Sequence, residues 1–555
     1  MLLPTYRLLA VSVSGPLGQS PGYLCNQALN NPTAGNQKII AACGLNQIAT
    51  YHLGAVLQPG GPNYNEPTLK NFRNFNGLAI QVHKAVENDP LLLIGNDAIH
   101  GNTHIEGGVV FPQNINLGVT HDPELVQEIG KLVENDSLIS QFNWVYMPTV
   151  AVAQDLRWGR TYESFGQDPQ LAKTMGNAYI SGFQQIQNNQ ITGALACVKH
   201  FIGDGATQYG LDEGDDIFSG SEHQFWLENG LGYEGAIDAG ALNFMVSYNA
   251  INGQRMHFGG QWNILNQFKT EGISGSDGKN YVFPGFAVSD FNGATRAAYF
   301  YNQLHPNKPL TSLPEMFAQS VNAGVDMLML GGSDNQDPFD PNSPLNYSTL
   351  GQAFDGLKQA YDKKLIPESR IEDAVTRILA AKLAIASQKQ VSSYPQLQSQ
   401  ERQVALKAAE ESMVLLKNND QVLPLNKAQV QNVVLLGDAN DVGVQNGGWT
   451  INWQGQKGSI YYQGINKTSS GTVTLFDAVK RNFGSKVRIL SEKEALAEMD
   501  KLSAAHTVVI SVVNEIPYAE YMGDIGNSYE PDQWYDKGEK GGENAYTLDS
   551  VVFEV

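Results

Sequence analysis

Between about residue 51 and residue 385 a single pattern recurs: a short apolar run, a polar loop, then a longer helical stretch. Seven runs are legible: "GAVLQ" from 54, "LLLIG" from 91, "WVYMP" from 144, "ALACVKH" from 194, "ALNFMVSY" from 241, "GFAVSD" from 285 and "GVDMLML" from 324. They are continuously apolar rather than alternating, as parallel strands covered on both faces are. Their regular alternation with helices predicts an α/β fold in which eight βα units close into a (β/α)8 TIM-like barrel over residues 51–386. An eighth strand is not legible. Residues 1–50 open on "MLLPTYRLLAVSVSG", a short apolar section with one Arg that matches a secretory leader poorly, and they stand apart as an uninformative N-terminal segment.

The stretch "PESRIEDAVTRILAAKLAI" (367–385) carries apolar residues at helical spacing and predicts a packed amphipathic helix. The polar "SQKQVSSYPQLQSQ" after it is the best linker candidate, so residues 387–420 read as a linker and connecting helix. A second α/β pattern occupies 421–555, with strands at "VVLLGD" (433–438), "KVRIL" (486–490) and "TVVISVVNE" (507–515), and with helices "LFDAVKRNFG" and "EKEALAEMDKLS" between them. The pattern then stops, and three strands make a thin sheet, so this reads as an incomplete sandwich domain with an irregular tail. A length of 555 residues agrees with more than one domain. The net charge of −20 argues against nucleic acid or an anionic membrane surface as partner, and no apolar stretch is long enough to span a bilayer. Three cysteines make neither a disulfide framework nor a zinc site. Cys197, inside "ALACV", reads as a buried thiol, and the sequence leaves open whether Cys25 pairs with Cys43.

Polar groups gather where the apolar runs end. Asp97 and His100 follow the run from 91. Arg157, Arg160 and Glu163 follow the one from 144. Lys199 and His200 end the run from 194, Tyr248 the run from 241 and Asp290 the run from 285. In a parallel barrel these ends share one face, where the βα loops build the active site. Ser289 and Asp290 by themselves are equally good helix N-caps for "GATRAAYFYNQL". A set of unrelated caps does not explain Arg, Lys, His and Tyr at the other strand ends. No P-loop or H-E-x-x-H occurs, and no G-x-G-x-x-G stands between a strand and a helix, so no cofactor or metal is indicated. Carboxylates, cations and aromatics at a barrel mouth suit a sugar, and glycoside hydrolysis needs two carboxyl groups. Spacing does not choose the pair.

The blocks "IGNDAIHGN", "DLRWGRTYESFGQDP", "VKHFIGDG", "MVSYNAINGQRM", "GFAVSDFNG", "GGWTINWQG" and "VVNEIPYAE" jointly resemble, in order, the signatures of glycoside hydrolase family 3. The similarity is strongest to its β-glucosidases and exo-acting β-glucan glucohydrolases. The resemblance implies a barrel followed by an α/β sandwich, a carbohydrate substrate, a periplasmic or secreted setting, Asp290 as nucleophile and Glu515 as general acid/base. It further implies that Asp97, Arg160, Lys199, His200, Tyr248 and Glu213 line a glucose subsite. Trp449, beside Gly447 and Gly448 in a loop expected to be exposed, would wall the next subsite.

Some positions depart from that pattern. Phe291 stands where many glucan-active members carry Trp. The first fifty residues do not match the usual opening of the barrel, and the second domain lacks several strands. Asp204 occupies the loop position at which the family's N-acetylglucosaminidases carry His, which favours a glucosidase. A β-xylosidase, an N-acetylglucosaminidase and a catalytically impaired carbohydrate-binding remnant are the alternatives. The sequence does not fix oligomeric state or linkage preference.

Overall fold

The computed structural model describes residues 9–12, 35–57, 69–86, 91–103, 105, 107–331, 342–385, 394–450, 455, 473–514 and 519–520. The chain divides into two compact units: residues 1–412 with 520–555, and residues 413–519.

In the first unit, parallel strands follow one another through space in chain order. Leu9–Ser12 pairs with Ala55–Leu57, that with Leu93–Asn96, that with Trp144–Val145, and that with Leu195–Ala196. Beyond Cys197 the same run continues as Val198–Phe201, which pairs with Asn243–Val246, and this with Phe286–Val288. Isolated parallel bridges join Thr149 to Lys199 and Val288 to Met327, and Leu328–Leu330 pairs back onto Leu9–Ser12. All seven expected runs form strands. Leu9–Ser12 adds another inside the N-terminal segment, where no local pattern announces one. Four residues of "LAVS" carry too little pattern to be legible, and it is the flanking strands that recruit them.

The strands from Ala55–Leu57 to Leu328–Leu330 are buried, as continuous apolar runs predict. Polar side chains tie strands together inside: Trp144 Nε1 donates to Asn243 Oδ1 at 2.7 Å, across to a strand it does not pair with, and Asn243 Nδ2 donates to the Phe286 carbonyl of the neighbouring strand at 3.0 Å. The outer helices start where the sequence supplies caps. Asp122 and Asp168 each accept from a first-turn N–H, each ahead of a Pro at the first helical position (Pro123–Ile139 and Pro169–Gln184). Helix Glu368–Ala384 matches expectation. Helix Tyr394–Glu411 starts within the stretch read as linker, because Leu397, Val404 and Ala408 give it an apolar stripe that its Ser/Gln content masks.

The second unit carries a three-stranded parallel sheet, Arg488–Ser491, Asn432–Gly437 and Thr507–Val512, with Asn432–Gly437 central. Helix Leu475–Phe483 begins on a capping box from Thr474 and Asp477. Cys43 is disulfide-bonded, and Cys197 is the free, buried thiol among the described residues.

Candidate active site

Asp290 follows the strand Phe286–Val288 and is buried. It does not cap the helix that follows. That helix, Gly293–Leu304, has Asn292 at its N-cap in the left-handed region (φ 54°) and no side-chain cap bond. Asp290 Oδ1 accepts from the Phe291 N–H at 2.7 Å, while Oδ2 has no hydrogen-bond partner among the described residues. Ser289 is also spent elsewhere: its hydroxyl accepts from the Met329 N–H and donates to the Asp290 carbonyl. Asn292 Oδ1 accepts from the Gly331 N–H and the Tyr347 hydroxyl, which ties the turn to the next strand. The strand therefore ends by presenting a carboxylate oxygen that faces His200 Nε2 at 3.7 Å, beyond hydrogen-bond reach.

Around it lies a chain of buried ion pairs and hydrogen bonds. Lys199 and His200 form no solvated pair; both are buried. Lys199 Nζ donates to Asp97 Oδ1 at 3.0 Å. Burial opposes the lysine's charge, but Asp97 and Glu163 outweigh it and raise its pKa. Arg160 grips Glu163 with Nε and Nη2 at 2.7 and 3.0 Å, and its Nη1 lies 3.2 Å from Glu520. Burial works against the guanidinium too, but Glu163 and Glu520 hold its pKa well above the ordinary value. Arg160 Nη2 stands 3.2 Å from His200 Nε2. A guanidinium only donates, so Nε2 accepts and the imidazole proton sits on Nδ1, 2.9 Å from Asp204 Oδ2. Burial, then the charges of Arg160 and Lys199, push His200 well below its usual pKa, so the ring is neutral.

Two carboxyl groups in this cluster differ in their hold on a proton. Asp290 is raised to about 6 by burial, with Arg160 and Lys199 pulling it back down. Glu520 is raised to about 8 by burial and by the negative charges of Asp290, Asp212 and Glu163, against the pull of Arg160. Glu520 thus holds its proton to a higher pH than Asp290, the order that an acid and a base or nucleophile require.

On the remaining side, the Tyr248 hydroxyl donates to the Phe291 carbonyl at 2.5 Å, and the Arg296 guanidinium lies over the tyrosine ring, 5.0 Å from its centre. Tyr248 is thus both a buried aromatic and a brace for the residue after Asp290. Arg296 Nη1 is 3.2 Å from Glu213 Oε1. Glu213 is buried, takes a left-handed φ of 59° and is raised to about 7 by burial, with Asp290 adding to the rise. Phe291 is exposed.

The structure therefore brings together Asp290, Asp97, Arg160, Lys199, His200, Tyr248 and Glu213. Trp449 belongs to the second unit; it is buried, with φ 57°, although two preceding glycines suggested an exposed loop. Glycine neighbours report backbone freedom and say nothing about what packs on the following ring. Glu515 lies outside the described residues. From the same block, Glu520, a residue that the sequence pattern does not single out, also brings a carboxyl to Arg160. Its only local signal is that "EIPYAE" offers two glutamates. Asp204, Asp212 and Arg296 were likewise not singled out as site residues.

Comparison with known proteins places these observations in a family. The description Glycosyl hydrolase family 3 N terminal domain matches residues 34–381, and Glycosyl hydrolase family 3 C-terminal domain matches residues 413–548. A lysosomal beta glucosidase of Dictyostelium discoideum is 27% identical over 456 residues, covering 78% of this chain and 51% of that protein. A beta-xylosidase of Formosa agariphila is 26% identical over 355 residues, covering 61% of this chain and 43% of that protein. The chain thus spans about half the length of the curated relatives it matches. The crystal structure of an exo-1,3/1,4-beta-glucanase from a Pseudoalteromonas species superposes with a TM-score of 0.69 at 26% identity, over 93% of this chain and 62% of that one.

Proposed function

The chain belongs to glycosyl hydrolase family 3, and on that premise we propose that it is a retaining, exo-acting β-glucosidase that releases terminal β-D-glucose from β-glucosides and β-glucan oligosaccharides. The observation that carries this reading is the pair of buried carboxyl groups, Asp290 and Glu520, on one network with Arg160 and His200.

In this reading Asp290 attacks the anomeric carbon through Oδ2, the oxygen without a hydrogen-bond partner among the described residues, and forms a covalent glycosyl ester. Glu520, rather than Glu515, gives its proton to the departing glycosidic oxygen, then takes one from the water that hydrolyses the ester. Retention asks the two carboxyl groups to approach to ~5 Å. Asp97 would accept from sugar hydroxyls, and Lys199 and Arg160 would donate to them. The exposed Phe291 ring would flank the leaving group.

The strand order supports a (β/α)8 barrel as the scaffold, with Leu9–Ser12 as the strand the sequence did not reveal. The bridges Thr149–Lys199 and Val288–Met327 stand where the two sheets must join to close it. The α/β sandwich then corresponds to the second unit.

The deciding experiment sets Glu520→Ala against Glu515→Ala on cellobiose and on a dinitrophenyl β-glucoside, whose leaving group needs no acid. Glu520→Ala should lose several orders of magnitude on cellobiose. It should recover turnover with azide on the aryl substrate, giving β-glucosyl azide. The same signature from Glu515→Ala would return the role to that residue. The similarity to a beta-xylosidase makes an aryl β-xyloside the proper competing substrate, and faster hydrolysis of it would overturn the glucose assignment.

A further inference from the structure

A nucleophile must be held as well as ionised, and the backbone on both sides of Asp290 is pinned. The Asp290 carbonyl accepts from the Ser289 hydroxyl at 2.8 Å and from the Gly293 N–H at 2.9 Å. The amide N–H of Asp290 donates to His257 Nε2 at 3.1 Å. His257 comes from the turn Met256–Phe258, distant in sequence, and its ring is fully buried, 5.8 Å from that of Tyr248. An amide is a donor, so Nε2 must keep its lone pair and the ring must be neutral. Burial, with the charges of Arg255 and Arg296 adding to it, lowers its pKa to about 3, so the ring stays neutral throughout any working range.

Gly293 explains how the ring comes so close. A Cβ on this residue would stand 2.1 Å from His257 Nε2 and 2.5 Å from Cε1. Gly293 lies in the first turn of a helix and has no left-handed φ, so its backbone does not require glycine. What requires it is the room taken by the imidazole.

We propose that His257 is a positioning residue for the nucleophile, a neutral acceptor that fixes the Asp290 peptide through its amide proton, with Gly293 supplying the space. The inference rests on the reading of Asp290 as nucleophile. Its effect belongs in the chemical step: a tilted peptide moves the carboxylate relative to the anomeric carbon, and ~1 Å of misplacement costs on the order of 10²-fold in rate.

The test begins with the unaltered protein and a 2-deoxy-2-fluoro-β-glucoside with a good leaving group. Label on Asp290 secures the premise, whereas label elsewhere removes the nucleophile assignment and this inference together. With the premise secured, His257→Leu should lower kcat on the order of 10²-fold while glucose affinity, read by calorimetry, changes by less than about twofold. His257→Gln, whose amide oxygen can accept the same N–H, should recover at least about tenfold of that loss. A leucine variant with unchanged kcat overturns the proposal, as does a glutamine variant no better than leucine at equal Tm. Gly293→Ala provides a second route should His257→Leu fail to fold. It should lower kcat by about tenfold or more in the natural background, yet cost nothing further beside His257→Ala, where the clash is gone. Additive losses in that pair would overturn the proposal.

Discussion

At the scale of single residues, the proposed reaction depends on two carboxyl groups that hold protons differently. The rate constant kcat/KM should rise as Asp290 ionises near pH 6 and fall as Glu520 loses its proton near pH 8, giving a bell between those limits. Glu520→Gln should abolish the alkaline limb of whatever activity remains on an activated aryl glucoside. A limb that persists unchanged would assign it to another group. Arg160 is the second pressure point. Arg160→Met would strand Glu163, which is fully buried and held by two of the arginine's nitrogens. Removing one partner of a buried pair costs ~3–5 kcal/mol, so a large fall in Tm should accompany the loss of activity. A variant of unaltered Tm would show that water replaces the guanidinium.

At the scale of elements, the contact between helix Pro123–Ile139 and helix Tyr394–Glu411 contains two buried carboxyl groups, Asp136 and Glu401. Burial raises Asp136 to about 8. Burial and then the charge of Asp136 raise Glu401 to about 9, against a smaller pull from Arg402. Both bind protons more tightly folded than unfolded. Their contribution is therefore intact below the ordinary carboxylate range near pH 4 and is lost progressively as pH rises through 8 to 9. Glu401→Gln should raise Tm relative to the natural protein at pH 8 and change it little at pH 4.5. A difference independent of pH would show that the pair does not titrate in this range.

At the scale of the whole molecule, the two units differ in how well they bury themselves. The strands Asn243–Val246 and Phe286–Val288 are covered on both faces. In the second unit Thr507–Val512 is a partly exposed edge of its sheet, and Leu416 and Val513 are 92% and 75% exposed. Local opening follows burial, so amides of Thr507–Val512 should exchange with solvent at least about tenfold faster than those of Asn243–Val246. Equal protection would show the second unit to be as firmly closed as the first.

The parts of this protein that are local were legible in its sequence. Buried parallel strands announce themselves as apolar runs, helices start at Asp–Pro pairs, and Asp97, Arg160, Lys199, His200, Tyr248 and Asp290 could be placed because each ends or follows a readable apolar run. The strand Leu9–Ser12 could not, since four residues acquire an extended shape only from the neighbours that pair with them. The approach of Glu520 to Arg160 was equally hidden, since nothing local in "EIPYAE" points to a guanidinium far back in the chain. The approach of His257 to Asp290, and the glycine that admits it, exist only between residues distant in the chain. Local pattern follows from which side chains must leave water, and this can be read along the chain. The choice of partner follows from distances between segments that only the packed structure brings within 3 to 4 Å of one another.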